Sequence, residues 1–245
     1  MSERKDVLIV IPACNEEENL PGVINSVREN VPGTDLLVVD DGSRDGTRKV
    51  LEDSRIPFLR HGVNLGYGAA VQTGLKYAVA RGYPVVALMD GDGQHDAKEL
   101  PRMIRALQEE GLDMVIGSRF LGAWKTAYPI GFPRKAGMIL FSTISSLFSK
   151  SRIKDTTSGF QVMNTRTAEF LEKVYPAENP DAEIVILLNL LDFKIKEMAV
   201  VMHPRIQGKS MITLLRTFTY PFRMLIAILV VLVRVVLSKR KIKNA

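Results

Sequence analysis

A single cysteine, Cys14, stands in 245 residues, so no disulfide can close within the chain and a reducing compartment fits. No secretory leader is expected from the first residues either. The opening MSERKD is charged and runs straight into VLIVIPA, without the apolar core and small-residue cleavage site of such a leader. The expectation is a body on the cytoplasmic side, not secreted. The uninterrupted apolar run of the C-terminal tail, Met224 to Val233, stops at ten residues, short of the roughly 20 that a helix needs to span a hydrocarbon layer. From Met198 onward there is no Asp or Glu, while nine Lys or Arg occur there. The formal net charge of +6 is therefore local: residues 1–197 hold 24 basic against 27 acidic side chains, a charge of −3. A basic tail that is also apolar points to an anionic membrane surface and away from a nucleic-acid groove.

The length suits one large α/β domain with an appendage. Short apolar runs alternate with helical patterns: DVLIVIPA then Glu16–Arg28, DLLVVDD then Asp45–Ser54, IPFLRH then Tyr67–Arg81, PVVALMD then Lys98–Glu110, and DMVIGSRF. Continuous β-rich runs separated by helices predict βαβ units around a mostly parallel, Rossmann-like sheet covered on both faces. Ligands of such sheets sit beyond the carboxyl ends of the strands. The polar clusters PACNEE, DDGSRDGT, NLGYGAA and DGDGQHD fall there. After Phe120 come a Met, Leu, Phe and Ser-rich helical stretch over 131–149, the segment KDTTSGFQVMN, a helical pair and a strand-like KIKEMAVVMHP.

LMDGDGQHD crowds Asp90, Asp92 and Asp96 into the end of an apolar run. Carboxylates sharing a site are costly to keep ionised together. In an extended segment Asp90, Asp92 and Gln94 share one side. Mg²⁺ commonly takes one or two carboxylates, with phosphates and water completing its shell. A calcium loop is excluded, because its sixth and twelfth positions hold His95 and Pro101 in place of Gly and Glu. The alternative is a solvated turn whose Asp residues cap the helix near Ala97. In DDGSRDGT, Asp45 and Thr47 are candidate helix caps, and Asp40 and Asp41 could accept N–H or hydroxyl donors of a nucleoside. In NLGYGAA the dinucleotide fingerprint fails, since Val71 stands where a third Gly or Ala belongs. Gly66 and Gly68 then serve either a plain turn or a close backbone approach.

In this order, PACNEEENL, VVDDGSRDGT, N-x-G-x-G-x-A, MDGDGQH, GSRF, SGFQVMN and PRIQGKS resemble the family 2 glycosyltransferases of GT-A fold. Within them the likeness is to the dolichyl-phosphate mannosyltransferase and polyprenyl-phosphate glycosyltransferase branch, over about residues 6–210. The resemblance implies a nucleotide-sugar pocket lined by Pro12, Ala13, Asn15, Glu17, Asp40, Asp41, Gly66 and Asp90. It implies Mg²⁺ or Mn²⁺ held by Asp90, Asp92 and Gln94. It implies acceptor-phosphate contacts from Arg119, Arg134, Arg205, Lys209 and Ser210, with Asp92, Arg119 and Arg205 as the catalytic set. Guanidinium forks grip phosphate bidentately and a lysine acts as a point charge, which suits these residue types to that task.

The implied reaction is inverting transfer of a hexose from a GDP- or UDP-linked donor to a lipid phosphate through an oxocarbenium-like state. A phosphate acceptor needs no general base, its second pKa being about 6. Relatives that glycosylate a hydroxyl show an acidic pair. Here the comparable NPDAEIV splits Asp181 from Glu183 by Ala182, which disfavours transfer to a saccharide hydroxyl, the nearest rival. A rival of another class is a non-catalytic, membrane-recruited protein that keeps the nucleotide-sugar pocket for binding.

The boundary is expected near Ser210, with residues 211–245 forming a membrane-associating helical tail. Arg216, Arg223 and Arg234 are spaced by seven and eleven residues, close to whole turns at ~3.6 residues each. An arginine stripe with apolar residues elsewhere, followed by SKRKIK, suits a helix lying in the interface of an anionic membrane. Peripheral or monotopic attachment is expected, and an oligomerisation helix is the other use of such a segment.

Overall fold

The computed structural model describes residues 5–121, 153–176 and 182–204. The stretch 131–149, Arg134, Asp181, Arg205, Lys209, Ser210, the side chain of Glu183 and the tail 211–245 lie outside the described residues.

Among the described residues seven strands form one sheet: β1 (Val7–Ala13), β2 (Asp35–Asp40), β3 (Phe58–Arg60), β4 (Val85–Leu88), β5 (Met114–Ser118), β6 (Gln161–Asn164) and β7 (Ile195–Ala199), in the order β3-β2-β1-β4-β6-β5-β7. Strand β6 runs antiparallel to its neighbours β4 and β5, and all other pairings are parallel. The expected mostly parallel α/β sheet is what forms. Among the described residues the α-helices are α1 (Leu20–Asn30), α2 (Thr47–Ser54), α3 (Tyr67–Ala80), α4 (Leu100–Glu109), α5 (Thr165–Val174) and α6 (Ala182–Leu190).

The unbroken apolar run of β1 follows from its place in the middle of the sheet, where both faces are covered. Side chains alternate across a strand, so Ile9 and Ile11 pack with Leu20, Ile24 and Val27 of α1, Leu51 of α2, and Leu100, Met103 and Leu107 of α4. Leu8 and Val10 face the other way, into Val71 and Leu75 of α3, Leu171 of α5 and Leu188 of α6. Gly74 lets α3 lie close on β1: a Cβ there would stand 2.2 Å from Val10 Cγ1. Glycine inside a helix costs about 1 kcal/mol relative to alanine, a cost offset here by that contact.

Helix α1 begins four residues later than the expected Glu16, with Pro21 in its first turn. Residues 16 and 17 are withheld from the helix because their N–H groups bond across to the next loop, Glu16 to Thr47 Oγ1 at 2.9 Å and Glu17 to Asp45 Oδ2 at 3.2 Å. Strand β3 is shorter than IPFLRH suggested, because as an edge strand it pairs only with β2. The reversal of β6 sets up the functional edge. Gln161 sits opposite Leu88, so Ser158–Phe160 enter beside the carboxyl end of β4.

Candidate active site

The carboxyl ends of β1, β2, β3 and β4 share one edge of the sheet, and their loops are tied together there. Asn15, in the left-handed region at φ 57°, donates its N–H to Ser43 Oγ at 2.9 Å and accepts from the Arg44 N–H through Oδ1 at 2.8 Å. Glu17 Oε2 accepts from the Gly46 N–H at 2.6 Å. Burial raises the pKa of Asp45, but bonds from Thr47 and from the Glu17 N–H outweigh that and hold its carboxyl below the usual range. The Asn64 amide reaches Cys14 Sγ at 3.0 Å, and burial pushes the Cys14 thiol up. Pro12 and Ala13 end β1 against Gly91, whose added Cβ would stand 3.3 Å from the Pro12 carbonyl oxygen.

Asp40 and Asp41 are both buried but differently employed. Asp41 organises the loop after β3, accepting from the Leu65 N–H at 2.8 Å, the Gly66 N–H at 2.8 Å and His61 Nδ1 at 2.7 Å. His61 Nε2 in turn lies 2.9 Å from Thr73 Oγ1 of α3. Asp40 accepts from the Ser43 N–H through Oδ1 at 2.9 Å. Its Oδ2 is buried without a hydrogen bond, although Arg60 Nε lies 2.9 Å away. The distance is that of an ion pair; the direction is not that of a hydrogen bond.

The three aspartates of LMDGDGQHD have separate roles. Asp96 caps the 3₁₀ turn Ala97–Glu99, accepting from the Lys98 N–H, and its Oδ2 lies 3.1 Å from His203 Nε2. The capping alternative therefore holds for this one. Asp92 Oδ1 accepts from the Gln94 N–H at 3.0 Å. Asp90 Oδ1 accepts from the Tyr67 hydroxyl at 2.9 Å, and its Oδ2 lies 3.6 Å from His95 Nε2. Burial and the Asp90 charge raise the Tyr67 phenol well above its ordinary range, so it stays a donor. His95 is buried, stacks on Phe160 at 4.7 Å between centroids, and pairs with Met202 across an antiparallel bridge. Burial, with a smaller contribution from Arg119, lowers its pKa to about 4 against the pull of Asp92 and Asp155. The ring is neutral at pH 7.

Arg119, just past β5, sits opposite this cluster. Its Nε and Nη2 bond Asp155 Oδ2 and Oδ1 at 2.8 and 2.7 Å, and Nη2 also reaches Thr157 Oγ1 at 2.8 Å. Glu197 of β7 holds the backbone of that segment, accepting from the N–H groups of Lys154 and Asp155 at 2.8 and 2.7 Å.

The fold thus brings Pro12, Ala13, Asn15, Glu17, Asp40, Asp41, Gly66, Asp90, Asp92, Gln94 and Arg119 to one edge. Sequence reasoning missed Tyr67, His61, His95, Asp155 and Gly159. Asp155 and Gly159 lay inside the quoted KDTTSGFQVMN, and Tyr67 between the two glycines of NLGYGAA. Among the described residues no three or more His, Cys, Asp or Glu side chains gather as a ready metal centre. Two carboxylates and an amide instead match a hard cation whose shell is finished by phosphate and water.

The chain matches the family model for glycosyl transferase family 2 over residues 8–165. It is 34% identical over 175 residues to the undecaprenyl-phosphate mannosyltransferase of Micrococcus luteus, covering 68% of this chain and 69% of that one. It is also 34% identical over 174 residues to the polyprenol monophosphomannose synthase of Mycolicibacterium smegmatis, covering 68% and 63%. The chain thus spans about two thirds of these relatives' length. Its fold is shared with glucosyl-3-phosphoglycerate synthase from Mycobacterium tuberculosis, solved with Mn²⁺, uridine diphosphate and phosphoglyceric acid: TM-score 0.66 and 20% identity, over 94% of this chain and 79% of that one. A GT-A-like sheet carrying DDGSRDGT and DGDGQH at its carboxyl edge, with a family match over most of that sheet, makes the chain a glycosyltransferase that belongs to glycosyl transferase family 2.

Proposed function

We propose that the chain moves a hexose from a GDP- or UDP-linked sugar to a polyprenyl or dolichyl phosphate at the cytoplasmic face of a membrane, with inversion. One observation carries the donor side. At the same sheet edge stand Asp40, a buried carboxylate ion-paired through Oδ2 with Arg60 Nε at 2.9 Å, and the carboxylates Asp90 and Asp92. Carboxylates at that edge are the kind of acceptor that a nucleobase N–H or a ribose hydroxyl needs. Pro12, Ala13, Asn15, Glu17, Asp41 and Gly66 shape the surrounding loops for the nucleoside. Asp90 and Asp92, with Gln94, would hold Mg²⁺ or Mn²⁺, which when bound offsets the charge gathering on the departing diphosphate.

The names of the relatives, an undecaprenyl-phosphate mannosyltransferase and a polyprenol monophosphomannose synthase, support a lipid phosphate here. Such a monoester is largely dianionic near neutral pH, its second pKa being about 6, so its oxygen attacks without a general base. Arg119 supplies guanidinium charge on the acceptor side, kept rigid by Asp155, and Arg134, Arg205, Lys209 and Ser210 are assigned the remaining phosphate contacts. The apolar, basic tail 211–245 would bring the domain to its water-insoluble acceptor. Among the described residues no helix is long and apolar enough to cross a membrane.

A panel of GDP- and UDP-sugars, screened for thermal stabilisation of the full chain with Mn²⁺, tests the donor assignment. A ligand that binds only the folded state raises its stability. One nucleotide series is expected to raise Tm in a Mn²⁺-dependent way; no shift with any member would overturn the assignment.

A further inference from the structure

Four observations converge on Asp90. The Tyr67 hydroxyl donates to its Oδ1 at 2.9 Å. The Asp90 N–H donates to His95 Nδ1 at 3.0 Å. That bond makes Nδ1 an acceptor and leaves the ring proton on Nε2, which faces Asp90 Oδ2 at 3.6 Å. Finally, Gly159 leaves the space around the carboxylate open: a Cβ there would stand 2.6 Å from Tyr67 Oη and 3.0 and 3.1 Å from the two Asp90 oxygens.

The supports are themselves fixed. Tyr67 opens α3, where its backbone is set by the Gly66 cap that Asp41 holds. His95 is clamped between Phe160 and the bridge to Met202. Both of these side chains are uncharged as placed: Tyr67 donates its hydroxyl to Oδ1, and His95, whose Nδ1 accepts the Asp90 N–H, flanks Oδ2. A Lys or Arg in either place would also orient Asp90, but its positive charge would repel an arriving cation, costing affinity through the same Coulomb attraction it gave the carboxylate.

We propose that Tyr67, bonded to Oδ1, and His95, bonded to the Asp90 N–H and lying beside Oδ2, are positioning residues that pre-orient the Asp90 carboxylate as a ligand for a divalent cation. Gly159 is the gap in β6's approach that makes room for the arrangement. This rests on the reading of Asp90 and Asp92 as the cation's carboxylates. It gives NLGYGAA a purpose beyond a turn: the motif starts α3 where a residue at position 67 reaches the end of β4.

Partners that orient a metal-binding side chain commonly change affinity by 10–100-fold when removed. The test is a titration of the full-length chain with Mn²⁺ in the presence of GDP, and separately of UDP, followed by electron paramagnetic resonance of free Mn²⁺. The comparison is between wild type, Asp92→Asn, Tyr67→Phe, His95→Gln and Gly159→Ala, with Tm measured for each. The expected result is binding by wild type, loss in Asp92→Asn, and about 10–100-fold weaker binding in Tyr67→Phe at nearly unchanged Tm. Gly159→Ala should weaken binding similarly, because its methyl group displaces the Tyr67 hydroxyl. Wild-type affinity in Tyr67→Phe and Gly159→Ala, alongside loss in Asp92→Asn, would overturn the positioning role while keeping the cation site. No Mn²⁺ uptake by wild type with either nucleotide would remove both.

Discussion

Arg119 and Asp155 form a two-pronged pair in which the fully buried carboxylate takes Nε at 2.8 Å and Nη2 at 2.7 Å, and the Arg119 backbone N–H at 2.9 Å besides. The arginine proposed for acceptor phosphate is thus a structural partner, and experiment separates that observed duty from the proposed one. Removing one member of a buried pair leaves the other's charge uncompensated, a loss of about 3–5 kcal/mol. Since Arg119 is 28% exposed, Arg119→Ala should cost about 3 kcal/mol, the low end of that range. Arg119→Lys should keep more stability but lose the fork. Urea denaturation checks both; an unchanged midpoint in Arg119→Ala would show that the pair contributes nothing to folding.

Acid should weaken the fold through His95. Its pKa falls from 6.5 to about 4 in the folded chain, chiefly by burial. The unfolded chain therefore takes up a proton near pH 6.5 that the folded one refuses until about pH 4. His95's contribution is complete above pH 6.5 and is lost as pH drops through that window, by up to ~1.4 kcal/mol per unit. Urea midpoints between pH 4 and 7 should show this slope in wild type, and a smaller one in His95→Gln.

Gly74→Ala sets helix propensity against packing. Alanine gains about 1 kcal/mol in a helix interior, but its methyl group would meet Val10 Cγ1 at 2.2 Å between two buried elements. Overpacking of that kind costs about 1–3 kcal/mol. Net destabilisation is expected in thermal unfolding, and a raised Tm would show that α3 can shift away from β1.

Much of the sheet was readable because its central strands are buried on both faces and so are written as continuous apolar runs. The reversal of β6 was not readable. Gln161–Asn164 is a four-residue strand whose direction is set by its neighbours, β4 and β5, and not by any pattern of its own. The start of α1 was misplaced because Glu16 and Glu17 are held by partners some 30 residues away, contacts with no local signature. The acidic motifs put Asp40, Asp90 and Asp92 at the carboxyl ends of β2 and β4, where the fold has them. Tyr67 and His95 beside Asp90, and Asp155 behind Arg119, were hidden because a tyrosine, a histidine or an aspartate gains its meaning there from what it touches.

The tail makes its own prediction. Truncation after Ser210 removes Arg216, Arg223, Arg234 and the SKRKIK cluster, the charges proposed to attract anionic lipid. Full-length protein should co-sediment with phosphatidylglycerol vesicles and the truncated form should stay in solution. Equal sedimentation of both would give the tail another purpose.

The most direct measurement is lipid-linked product formation. Full-length protein would be incubated with polyprenyl phosphate, the nucleotide sugar that stabilises it, and Mn²⁺, with no saccharide acceptor, and the organic extract analysed by mass spectrometry. The account predicts a polyprenyl-phosphate hexose that disappears on chelation and in Asp92→Asn, a variant that should remain folded. Product formed undiminished by Asp92→Asn, or a sugar transferred only when a saccharide hydroxyl is supplied, would contradict it.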